Sequence, residues 1–409
     1  MKIRRVKLSD IAELTVGFVG NMAKQYKDEG VKFLRSLNIK PFSIVEDDLK
    51  YISREFNESL RKSILHENDL IIVRTGIPGT CCVVSKDYDG CNCADVVLVR
   101  PNLQVVNPHY LAAYINVWGK KQVEYNKVGA IQKHFNVKSA EEMLIDLPDL
   151  ESQNKVAKIL CDLNDKIISN EKINDYLEEM AKTIYDYWFV QFDFPDKNGK
   201  PYKSSGGTFK NGLPIGWNYV PIKNICNILS GFSFQSDDYV QNGKYKLLTI
   251  KNVQDTGINL DVDNYINILP ENMPDFCKLD IGSILMSLTG NVGRVGILYD
   301  SNCLLNQRVS LMQAKNPIMT PFIYCLLKSS KMRYILESLA TGTSQKNLSP
   351  IEAGNIMIPY DNEIVKNFSK KVTPLIDSII TNLKENNNLT NLREWLLPML
   401  MNGQATIEN

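Results

Sequence analysis

The sequence predicts an α+β protein in which two pseudo-symmetric globular units are separated by two long helices whose apolar seams face each other. Three observations carry this reading. Much of the chain recurs at an offset of 214, the distance from Val6 to Val220. Each recurring stretch mixes short β-rich runs with helical ones. After each stretch comes a long apolar stripe with heptad spacing.

The repeat is read residue by residue. Val6 through Phe18 runs parallel to Val220 through Phe232, and the same offset carries Asn38-Ile39 onto Asn252-Val253 and Leu65 onto Leu279. It also carries Thr75-Gly76-x-x-Gly79 onto Thr289-Gly290-x-x-Gly293, and Asn92 onto Asn306, so that Cys93-Ala94 stands against Gln307-Arg308. Further on the register slips by one to three residues: Gly129 and Gln132-Lys133 meet Gly342 and Gln345-Lys346, and Pro148 meets Pro359. Two diverged copies of one unit imply a molecule that presents the same kind of surface twice.

In chain order, residues 1–150 form the first unit, with β-rich runs at Asp69 to Arg74 and Asp95 to Arg100 and a helical run at Pro108 to Trp118. Residues 151–192 form the first long helix, and 193–216, with Pro195, Pro201, Pro214 and Ser204-Ser205-Gly206-Gly207, read as an exposed linker. Residues 217–360 repeat the first unit, with runs at Ser283 to Leu288 and Val309 to Met312 and one helix from Pro321 to Ser338. Residues 361–409 form the second long helix, which Pro374 should start or kink because it lacks an amide donor.

The first stripe includes Leu160, Leu163, Ile167, Asn170, Asn174, Leu177, Ala181 and Ile184, and the second Val372, Leu375, Ile379, Asn382, Asn386, Leu389 and Arg393. Spacings of three and four alternate in both, which is an a/d seam. Asn170 and Asn174 fall at the positions of Asn382 and Asn386, where polar seam residues lower stability and fix register. A helix from about Ser152 to Tyr187 is roughly 50 Å long, enough to act as a spacer.

A chain of 409 residues, 44% hydrophobic and 23% charged, supports two to four domains with real cores. It contains no apolar run of membrane-spanning length and no signal peptide after Met1-Lys2, so it is expected in the cytoplasm, away from any membrane. Nine irregularly spaced cysteines point to reduced thiols. The densest group, Cys81, Cys82, Cys91 and Cys93, lacks paired C-x-x-C spacing, and Gly296 replaces Cys82 in the second copy, so no metal site is expected. A formal charge of +1 neither demands nor excludes nucleic acid.

Several motifs together make the chain resemble the specificity subunit of a Type I restriction-modification enzyme over essentially its whole length. They are the two Thr-Gly-x-x-Gly elements, Thr341 to Ser349 ahead of Ile358-Pro359, Leu213 to Trp217 opening the second unit, and Tyr185 to Phe194 after the first long helix. The resemblance implies that each unit is a target-recognition domain for one half of a bipartite double-stranded DNA sequence. It further implies that the two long helices pack as an antiparallel coiled coil, which sets the gap and docks two methyltransferase subunits that restriction and translocase subunits can join. No cofactor is expected on this chain; the resemblance implies S-adenosylmethionine on the methyltransferase partner and ATP with Mg on the restriction partner.

Glycine turns let backbone amides approach phosphates, amide side chains read adenine edges, and cations grip phosphate or guanine. The DNA-contact candidates are therefore Arg74, Thr75, Gly76, Gln132, Lys133 and His134 in the first copy. In the second they are Ser233, Thr289, Gly290, Asn291, Arg294, Gln307, Arg308, Gln345, Lys346 and Asn347. No amino-methyltransferase Asn/Asp-Pro-Pro-aromatic motif or phosphate loop is present, and His66, His109 and His134 are scattered. The chain is thus read as non-catalytic. An autonomous enzyme with a cryptic site and a coiled-coil adaptor stay as alternatives.

Overall fold

The computed structural model describes residues 3–119, 121–122, 135–342 and 346–401. It comprises two compact units: Met1–Ile168 with Asn388–Asn409, and Ser169–Asn387. Each therefore takes in part of both long helices.

The first unit is built on an antiparallel sheet of β1 (Ala12–Val16), β2 (Leu70–Val73), β3 (Cys81–Val83) and β4 (Val96–Pro101) in the order β1-β4-β2-β3. Alternation of side chains across the sheet sends Leu70, Ile72, Val97 and Val99 to one face, beneath helix α1 (Pro108–Tyr114) and the start of α2 (Leu150–Tyr185). Ile71, Val73, Val96 and Leu98 point to the other, against Leu34, Ile39 and Leu65. Both faces are covered, which is why these strands read as continuous apolar runs. Cys81 packs on the first face and Cys82 and Cys93 on the second. Burial pushes the thiols of Cys82 and Cys93 up to about 12, so they stay protonated packing groups.

The second unit repeats the plan with β5 (Cys226–Ser230), β6 (Ile284–Ser287), β7 (Val295–Ile297) and β8 (Val309–Ala314) in the order β5-β8-β6-β7. Buried asparagines mark the duplication: Asn38 Nδ2 donates to the carbonyls of Val45 and Asp47, and Asn252 Nδ2 to those of Asn259 and Asp261. They tie down a loop from inside. The expected single helix from Pro321 to Ser338 is two, α3 (Thr320–Lys328) and α4 (Ser330–Leu339). The break is at Ser329, which turns extended and caps α4 through its hydroxyl.

The last helix, α5 (Asn362–Met401), starts well before Pro374 and runs through it without interruption. Pro374 is exposed, so water can satisfy the carbonyl that loses its donor. The segment 193–216 is largely exposed, yet it is anchored to the second unit. Phe194 stacks on Tyr202 (4.8 Å between ring centroids) and on Trp217 (5.2 Å), and Phe194, Leu213 and Trp217 are buried in the core of the second unit. The Asp193 carboxylate accepts from the Ser204 amide and hydroxyl, closing the loop on itself.

Within each unit the long helices pair antiparallel. In the first, Val156 and Leu160 cluster with Leu397 and Leu400, and Arg393 Nη1 donates to Asn164 Oδ1 (3.1 Å). In the second, Asn170 Nδ2 donates to Asn386 Oδ1 (2.8 Å) and Asn382 Nδ2 to Asn174 Oδ1 (2.9 Å), so the seam asparagines bond crosswise. Ile167 and Ile379 are buried along the seam, and Leu163, Leu177, Leu375 and Leu389 are half-buried. Replacing Asn382 by leucine removes the donor to the buried Asn174 carbonyl and is expected to cost about 1–3 kcal/mol. The reading is a lower urea midpoint at unchanged slope; a gain in stability would show that desolvating the pair outweighs its bond.

Candidate nucleic-acid interface

The sheet of the second unit gathers its candidate residues at one end. Ser230 pairs with Ser310 and Ser287 with Val309, so the chain leaves β5, enters β8 and leaves β6 at the same edge. Three loops emerge there: Gly231-Phe232-Ser233, Gln307-Arg308, and the Thr289 to Gly293 hairpin. Thr341 and Lys346-Asn347 are fastened to the hairpin and to each other. Gly290 N donates to the Lys346 carbonyl (2.8 Å), Thr289 Oγ1 to Asn347 Oδ1 (3.0 Å), and Asn347 N to the Thr341 carbonyl (2.7 Å). Two motifs more than fifty positions apart thus form one surface.

The glycines of the hairpin are conformational necessities. Gly290 and Gly293 have φ of 74° and 81°, and Gly76 and Gly79 of the first unit have 84° and 87°. Gly231 serves a different need: a Cβ there would lie 2.2 Å from the Asn306 carbonyl oxygen.

Ser233, Asn291, Gln307, Arg308, Lys346 and Asn347 are exposed at this end. Arg294 is not spare: its guanidinium pairs with Asp255 (2.8 Å), which also takes Arg333 (3.0 Å). Burial would raise the Asp255 carboxyl, but the Arg333 hydrogen bond and the Arg294 charge outweigh it and hold it below the usual carboxylate range. The sequence carried no sign of this pairing, since Asp255 lies in a hairpin remote from both arginines.

The first unit has the same end. Val16 pairs with Val97 and Val73 with Val96, so Gly17-Phe18, Asp95 and the Arg74 to Thr80 hairpin emerge together. Thr75 and Gly76 are exposed, and half-buried Arg74 donates from Nε to the Phe135 carbonyl (3.2 Å). Gln132, Lys133 and His134, and Gln345 of the second unit, lie outside the described residues.

The constant offset fails at one place that matters. Phe18 N donates to Cys93 O and Ala94 N to Leu34 O, whereas Phe232 N donates to Leu305 O and Asn306 N to Leu248 O. Ala94 therefore occupies the place of Asn306, not of Arg308, and Asn92 that of Leu304. Gly17 and Gly231 then bond to Val96 and Val309. One residue, Asp95, consequently fills the gap that Gln307 and Arg308 fill in the second unit. Sequence comparison missed Asp95 because two asparagines, one buried and one at the loop, aligned by chance.

Comparison with known proteins follows the same division. The Type I restriction modification DNA specificity domain matches twice, at residues 2–179 and 214–391. The Type I restriction enzyme MjaIX specificity subunit of Methanocaldococcus jannaschii is 26% identical over 276 residues, a match spanning 66% of this chain and 62% of that protein. The MjaVIII specificity subunit of the same organism is 25% identical over 395 residues, 90% of each chain. The crystal structure of a Type-I restriction-modification system S subunit from M. genitalium shares the fold, with a TM-score of 0.59 at 14% identity over 98% of this chain and 96% of that one. With two copies of the specificity domain along its length, this chain belongs to the Type I restriction-modification DNA specificity subunit family.

Proposed function

We propose that each loop-bearing sheet end reads one half of a bipartite double-stranded DNA sequence, and that the chain itself performs no chemistry. The observation that carries this is the repetition: both units bring the same three loops to the same end of the same sheet, with different side chains on them. A shared frame with unlike contacts is what reading two different half-sites requires. Methyltransferase subunits carrying S-adenosylmethionine would act at adenines in each half, and two of them would dock on the helical part of the chain. Restriction subunits using ATP and Mg would complete the nuclease. The formal charge of +1 suits a division of labour in which those partners supply much of the phosphate grip.

The test is base-resolved methylation sequencing of host DNA with and without this chain, its methyltransferase kept intact. Loss of one bipartite adenine-methylated motif is expected; an unchanged methylome with an active methyltransferase refutes the reading. At the residue level, Lys346→Ala is expected to weaken binding at the second half-site evenly across sequences. The slope of log K against log salt concentration should fall by about 1, as for one lost phosphate contact. A changed base preference at unchanged slope would make Lys346 a base reader instead.

A further inference from the structure

The corrected register places an acid where the other unit has an amide and a base. We infer that Asp95 reads a base in the first half-site, its carboxylate accepting a hydrogen bond from the exocyclic amino group of a cytosine in the major groove. The inference rests on the proposed reading of the two sheet ends as DNA-contacting surfaces.

Four observations lead there. Asp95 stands alone between Ala94, bridged to Phe18, and Val96, whose carbonyl accepts from Gly17. That is the frame that holds Gln307-Arg308 between Asn306 and Val309. Asp95 is exposed, and no hydrogen bond or ion pair to its carboxylate is present among the described residues. Its backbone, by contrast, is held at both ends: its amide donates to Phe18 O (3.3 Å) and its carbonyl accepts from Ser36 Oγ (3.1 Å). The position has φ of 55°, a conformation that glycine or asparagine would satisfy as well, so the turn itself does not call for a carboxylate.

A carboxylate accepts only, and DNA phosphate repels it. Among the base edges of the major groove, the cytosine N4 amino group is the donor that aspartate and glutamate suit. Gln307 and Arg308 offer amide and guanidinium donors at the equivalent place. The two units therefore present different donor and acceptor groups on one loop.

The experiment uses the full chain assembled with its methyltransferase and measures competition binding against duplexes carrying every single-base change in the target. The wild-type complex is expected to discriminate by about 5- to 150-fold at a C·G pair in the first half-site. Asp95→Asn keeps the size and the positive φ and should reduce that preference to a few-fold, leaving the second half-site unchanged. Asp95→Gly, the residue most at ease at positive φ, should do the same and guards against a folding defect in the first variant. Full retention of discrimination in both variants, an equal loss of affinity for all sequences, or a change at the second half-site each overturns the inference. A wild-type complex with no sequence preference overturns the reading of function and this inference with it.

Discussion

Replacing Phe368 by alanine is expected to destabilise the second unit by about 3–5 kcal/mol, the range for emptying an aromatic site that cannot collapse. Phe368 is fully buried. Its ring stands 5.1 Å from Phe189, 5.8 Å from Trp188, 6.0 Å from Tyr185 and 6.2 Å from Phe322, centroid to centroid, mostly edge to face. Those four side chains come from the end of α2, the turn after it, and α3, so the ring joins the helical part of the unit to its globular part. Hydrogen exchange in β5 to β8 should speed up along with a fall in the melting temperature. A cost below about 1 kcal/mol would mean that the surrounding rings close the cavity, and that this cluster is not the core of the unit.

The second large effect is expected at a residue with no side chain. In Gly231→Ala the new Cβ meets the Asn306 carbonyl oxygen at 2.2 Å, and its nearest neighbours are all backbone atoms of Leu305 and Asn306, which leaves no flexible group to yield. The loop at Gln307-Arg308 or the strand end at Ser230 must move, at a cost of about 1–3 kcal/mol. Displacement of this loop is expected to lower affinity for the second half-site by about 5-fold or more, since a wrong contact there costs on the order of 1–3 kcal/mol. The matching variant Gly17→Ala meets the Cys93 carbonyl at 2.9 Å and its Sγ at 3.0 Å, a milder clash, and should affect the first half-site less. Equal and small effects of both variants on half-site binding would show that these glycines serve folding alone.

Both predictions depend on contacts that lie far apart in sequence, and this marks what could be read from the chain directly. Strand runs such as Leu70–Val73 and Ile284–Ser287 were legible because burial on both faces leaves a continuous apolar signature. The seam was legible because helical packing repeats every three and four residues. Motifs such as Thr289 to Gly293 were legible because a positive φ selects glycine. The anchoring of residues 193–216 was not legible, because proline and glycine report local turns, while the anchor is aromatic stacking on Trp217.

By itself, then, the sequence determined the duplication, the α+β character of each copy, the two long helices and the polar positions in their seam, all through local periodicity and turn chemistry. The tertiary structure alone decided which asparagines bond across the seam, that Arg294 is held by Asp255, that loops at residues 289 and 346 share one surface, and that Asp95 stands at the place of Gln307 and Arg308. The reason is physical. Backbone conformation and burial leave their mark on neighbouring residues, whereas the partner of a side chain and the register of a strand are set by hydrogen bonds to segments that no local pattern names.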